Sequence, residues 1–116
     1  MEKIQKRIVI KTNIEGVHRW EDCNLIEVEF LKNLHRHIFY ITLQKSVEHN
    51  NRDIEIIMLK REIESYLKNK FYDQKIMTHN FNNMSCEDIA EDLLSKFEAN
   101  YVEVLEDNEN GAVILK

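Results

Sequence analysis

Two histidines one residue apart, His35 and His37, stand in a run from Leu34 to Leu43 rich in β-branched and aromatic residues, with no Gly or Pro. Such a run reads as a strand. Alternation along it puts His35, His37, Phe39 and Ile41 on one face and Arg36, Ile38, Tyr40 and Thr42 on the other. The two imidazoles then lie about 7 Å apart at the backbone. A third, His18, sits upstream in Gly16-Val17-His18-Arg19-Trp20. Three imidazoles from neighbouring segments can bind zinc and leave its fourth position open. They can equally be half-buried polar residues lining a pocket, since histidine is intermediate in burial.

The elements that must position these rings belong to one domain, because 116 residues support a single core. The apolar share of 43% beside 32% charged residues is that of an ordinary folded chain. A net charge of −5 repels nucleic acid and anionic membrane, so any phosphate must be held by local arginines and lysines. That balance, and the lack of a basic stripe, argue against a DNA-binding module. No apolar run reaches membrane-span length, and Met1-Glu2-Lys3 opens no signal core, so a cytoplasmic protein is expected. Cys23 and Cys86 have no metal-type spacing; they read as a loop residue and a small residue in a first helical turn. Gly16 suggests a tight bend beside His18, and Gly111 a turn after Asn110.

In chain order, Ile4 to Thr12 reads as a strand that continues through a kink at Gly16 toward Trp20. The segment 21–33 fits either a short helix or an ordered loop. The histidine strand runs to about Val47, and Glu48 to Asp53 is a polar turn. Ile54, Ile56 and Met58 alternate before the period changes at Leu59, from where Ile63, Tyr66, Leu67 and Phe71 follow helical spacing. A second helix opens at Ser85 with Asp88 three residues on, a capping-box start, and presents Ile89, Ala90, Leu93, Leu94 and Phe97. Tyr101–Leu105 and Ala112–Leu115 read as strands joined by the hairpin loop 107–111. The order ββααββ predicts an α+β fold, a four-stranded or slightly larger antiparallel sheet with two helices on one face. The long connection 71–84, rich in Asn and aromatics, is a candidate binding loop or a plain surface excursion.

The order of motifs resembles the tunnelling fold of the pyruvoyl-tetrahydropterin and carboxy-tetrahydropterin synthases. Those families carry an Ala-His-Arg segment, a Cys-x-x-x-His-Gly-His strand, a Pro-Thr-x-Glu helix start and a late Lys-Glu-Thr strand end. The counterparts are Gly16 to Trp20, Leu31 to His37, Met84-Ser85-Cys86-Glu87 and Val104-Leu105-Glu106-Asp107. The resemblance implies zinc on His18, His35 and His37, assembly through sheets, and purine- or pterin-like rings bound at subunit interfaces with a glutamate anchor, Glu87 or Glu106. It also exposes departures. Leu31 stands where the nucleophilic cysteine belongs, no histidine falls in Tyr72-Asp73-Gln74 where an Asp-His pair is expected, and Arg36 replaces the glycine between the histidines. Without proton-transfer groups the synthase step is lost and a pocket remains.

The wording His-Arg-Trp, then Phe-Leu-Lys-Asn-Leu-His-Arg-His-Ile-Phe, then Asn-Arg-Asp-Ile-Glu, then Met-Ser-Cys-Glu also resembles a small phage-encoded anti-Thoeris family. That resemblance implies a sponge that sequesters cyclic ADP-ribose isomers in a bacterial host cell, and binds cyclic oligonucleotides in a larger assembly. On it, Arg19 and Arg36 are expected to face phosphate, and Trp20 and Phe81 to stack. Asn82, Asn83, Asp107 and Asn108 are expected to read hydroxyls or a ring edge, with His35, Glu87 and Glu106 beside them. Each has a plainer reading: core aromatics, turn-forming asparagines. Capture without turnover and with no obligatory cofactor is therefore the leading expectation. The alternative is a zinc-dependent pterin or deazapurine synthase. Open sheet edges and a sheet face without helices predict a homodimer or hexamer, and sites that combine Arg36 with the histidines require a second chain.

Overall fold

Two long strands, β1 (Arg7–His18) and β2 (His35–Ser46), pair antiparallel along their whole length, from Arg7 opposite Ser46 to His18 opposite His35. The computed structural model describes residues 3–116; the leader expectation begins on Met1 and Glu2, outside them. The two strands carry Ile8, Ile10, Thr12 and Ile14 on one edge of the pattern and Phe39, Ile41 and Leu43 on the other, so their apolar faces coincide. Gly16 is not a bend, since β1 runs straight through it. Its missing side chain makes room for aromatic packing instead: a Cβ there would come within 2.8 Å of Phe81 Cε2 and 3.2 Å of Phe39 Cε2.

α1 (Ile56–Phe71) buries Leu59, Ile63 and Leu67, one turn apart. It begins earlier than the alternation around Ile54–Met58 suggests, because the Glu55 side chain caps it by accepting from the Ile57 and Met58 N–H groups. α2 (Cys86–Lys96) starts as expected, with the Ser85–Asp88 capping box formed in both directions. Its buried residues Ile89, Ala90, Leu93 and Leu94 meet Phe39, Ile41, Leu43, Val102 and Val104 in one core with those of α1. Full burial of each large apolar side chain contributes about 1.5–3 kcal/mol.

The sheet departs from the four-stranded antiparallel expectation. It has six strands in the order β3-β4-β1-β2-β5-β6. The connection 71–84 is not a loop: β3 (Tyr72–Asp73) and β4 (Thr78–Asn82) form a short hairpin, and β4 lies parallel to β1 at Gly16–His18. Asparagines obscure β4 in the sequence, but buried Thr78 and Phe81 anchor it. On the other side β5 (Tyr101–Glu106) pairs with β2 and with β6 (Asn110–Leu115). The turn between β5 and β6 is only residues 107–109, with Asp107 and Asn108 at positive φ. Gly111 lies in β6, not in the turn, and a Cβ there would collide with the Val104 carbonyl oxygen. The segment left open between helix and loop holds 3-10 turns over Ile26–Lys32, kinked at Val28 and with no buried residue. The α+β class stands. Among the described residues no helix is long and apolar enough to cross a membrane.

Candidate functional site

The register of β1 and β2 sets His18 directly across from His35, and the period of two along β2 adds His37. The three rings form a triangle with centroids 4.6 Å (His18–His35), 5.3 Å (His18–His37) and 5.0 Å (His35–His37) apart. Phe39, fully buried, lies beneath them, 5.1 Å from His18 and 5.7 Å from His37. Each imidazole has an acceptor at Nδ1. The Met84 carbonyl is 2.9 Å from His18, the Asn33 carbonyl 2.9 Å from His35, and Asp107 Oδ2 2.7 Å from His37. Carbonyls and carboxylates only accept, so every Nδ1 carries a hydrogen, and in the neutral ring the lone pair is left at Nε2. Orientation of histidines by such outer partners is how proteins prepare metal ligands.

Glu106, the last residue of β5, reaches the same point. One donor atom from each of His18, His35, His37 and Glu106 lies within 4.8 Å of the others. The residues present therefore fit a divalent ion such as zinc, by donor type, by tautomer and by convergence. Burial alone would lower the His18 pKa, but Glu106 and the Met84 carbonyl outweigh it, and the net shift is upward from 6.5. Hydrogen bonding to His18 likewise holds Glu106 below 4.5 against the opposing effect of burial. His37, then the Ile38 N–H, lower the Asp107 carboxyl.

These shifts contribute to the pH behaviour of the metal-free chain, opposed near neutral pH by His79, whose pKa burial holds below 6.5. The His18 contribution is complete below the unfolded pKa and is lost as pH rises through the folded one. The Glu106 contribution is present above its unfolded pKa and is lost as pH falls through the folded one. Both act together between 4.5 and 6.5. In the presence of a chelator the chain is expected to melt higher at about pH 5.5 than at about pH 8, and added zinc should reverse the order, because metal and protons compete for the same nitrogens. Thermal melts at both pH values check this; a chelated chain that melts identically at both would refute it.

A cavity of about 480 Å³ opens beside the cluster, lined by His18, His35 and Glu106 together with Arg19, Trp20, Leu31, Asn83 and Glu87. This size suits a heterocyclic ligand. Trp20 is 43% exposed and offers a ring face. The Arg19 backbone is tied to the Asn82 carbonyl at 2.7 Å, while its buried Nε has no partner. Asn83 Oδ1 accepts from the Glu21 N–H at 2.8 Å, so its amide nitrogen remains to donate.

Other expected contacts fall elsewhere. Phe81 is 1% exposed, packed between Phe39 and Phe71, and presents no stacking face. Arg36 points to the opposite sheet face and binds Glu15 at 2.7 Å, as alternation requires. Asn82 serves through its backbone at positive φ and its side chain does not line the cavity. Asn108 lines a separate depression with Lys11, Tyr40 and Glu103. Asp107 lies outside the wall and acts on His37 instead, a role hinted at only by the adjacent acids Glu106-Asp107. Cys86, passed over in the sequence, borders the cavity, where burial, then Glu106, push its thiol up to about 12. The hairpin does bring a histidine to Tyr72: His79 pairs with it. Its Nδ1, however, is bound to the Glu15 carbonyl at 2.9 Å.

Neither family models nor curated proteins match this chain. Among solved structures it is similar to an uncharacterized protein from Wolinella succinogenes, with a TM-score of 0.69 at 13% identity, over 98% of this chain and 99% of that one. At that identity the likeness shows a shared fold.

Proposed function

We propose that this chain binds a nitrogen heterocycle of a nucleotide-type ligand at a three-histidine metal centre and holds it without turnover. The observation that carries the reading is the pairing of prepared ligands with missing proton-transfer groups. His18, His35 and His37 present their Nε2 atoms, yet Leu31 occupies the cavity wall and Cys86 keeps its proton far above neutral pH. A zinc ion held by the three histidines would add positive charge beside the cavity. Arg19 supplies the guanidinium for a phosphate, Trp20 a stacking surface, and Asn83 and Glu87 a donor and an acceptor for a ring edge.

The resemblance to the anti-Thoeris family supports a cyclic ADP-ribose-type adenine dinucleotide as that ligand, and sequestration of an immune signal in the host cytoplasm as its use. On the side of β1 that faces away from β2, residues 7–15 pair with no strand among the described residues, which supports a homodimer or hexamer built edge to edge. The chain is expected to deplete a cyclic ADP-ribose isomer from solution and to return it unchanged on heating, with Arg19→Ala and Trp20→Ala each weakening capture. A single good stacking or charged contact is worth about a factor of ten. Recovery of a cleaved product would overturn capture without turnover.

The histidine cluster also favours a second reading, a zinc-dependent pterin or deazapurine synthase. That reading requires release of an aldehyde from a dihydroneopterin-type substrate, which the capture reading excludes.

A further inference from the structure

We propose that Glu106 is the fourth protein ligand of the metal centre, so that the chain closes the coordination shell itself and leaves no open position toward the cavity. The proposal rests on the reading of His18, His35 and His37 as ligands and deepens it, because a closed centre holds ligand without activating water.

The distances carry the first part of the argument. Bonds of about 2.0–2.1 Å in a tetrahedral zinc site place neighbouring donor atoms about 3.3 Å apart. Glu106 Oε2 is 2.9 Å from His18 Nε2, and the other oxygen, Oε1, is 3.6 Å from His37 Nε2, so the carboxylate lies within about half an ångström of that edge from both histidines. The widest separation in the four-residue set is 4.8 Å, which small side-chain rotations can close.

The second part is an imbalance of donors. Apart from the Glu106 carboxylate, His18 Nε2 and His37 Nε2 are buried with no hydrogen-bond partner, and the His18 side chain is only 8% exposed. Their Nδ1 atoms are committed elsewhere, so in the neutral rings two nitrogen lone pairs face a carboxylate. A proton can relieve one of these contacts; a divalent cation relieves both and engages His35 as well. Glu106 has no lysine or arginine partner among the described residues, and its other near donor is Cys86 Sγ at 3.7 Å.

The third part is rigidity. Glu106 sits between its strand partners Phe39 and Asn110, and Asp107 next to it grips both His37 and the Ile38 N–H, the latter at 3.0 Å. Strand pairing therefore aims the carboxylate, and the same hairpin end orients one of the histidines.

Cobalt(II) loaded into the full chain reads the shell directly. The wild-type visible spectrum should be that of a four-coordinate centre and should not respond to azide. In Glu106→Ala, and in Glu106→Gln as the shape-conserving variant, azide should bind and shift the spectrum. Cobalt affinity by chelator competition should fall at least the roughly 10–100-fold that loss of an outer-shell partner costs. A wild-type spectrum that shifts with azide as readily as the variants' would overturn the closed shell while leaving the three-histidine site intact. Failure of the wild type to take up cobalt would overturn both. Capture of the nucleotide, measured separately, tests the function without reference to Glu106.

Discussion

Alanine at His37 is expected to abolish zinc binding at the proposed centre. His37 lies at the centre of the arrangement: its ring touches those of His18, His35 and Phe39, and Asp107 fixes its Nδ1–H at 2.7 Å. Removing it takes away one donor and leaves the Asp107 carboxylate without its imidazole partner. Loss of an outer-shell group alone weakens metal binding about 10–100-fold, so loss of the ligand should exceed that range, and Asp107→Ala should fall within it. Elemental analysis of purified protein and competition with a chromophoric chelator give the two affinities. A His37→Ala chain that keeps one zinc at wild-type affinity would remove His37 from the centre.

Phe39→Ala should be the most damaging change in the core. The ring is fully buried and packs at 5.1 Å against both His18 and Phe81. Truncation of a buried phenylalanine costs about 3–5 kcal/mol, against a total of about 5–15 kcal/mol for a typical domain. The denaturant midpoint should fall steeply with the slope unchanged. The same cavity lies under His18 and His37, so this variant should also bind metal more weakly, and saturating zinc should recover part of the lost stability by mass action. An unchanged midpoint would mean that Phe39 does not form the floor of the site.

Which parts of the molecule the sequence determines follows from the range of the interactions concerned. The shared face of His35, His37 and Phe39 is a property of any strand and needs no partner. The Ser85–Asp88 box and the apolar spacing of Leu59, Ile63 and Leu67 act within one turn or along one helix face, and both are legible residue by residue. The absence of a thiol at Leu31 is equally plain. Tertiary structure decides the rest. His18 becomes a neighbour of His35 only through the β1–β2 register, and its tautomer is set by the Met84 carbonyl, 66 residues away. Phe81 moves from expected stacking surface to core because a parallel β4 brings it onto Gly16 and Phe39. Glu106 joins the histidines because β5 is registered against Phe39. Periodicity is written locally, whereas register and parallel pairing are chosen by how much apolar surface the whole sheet buries against its helices.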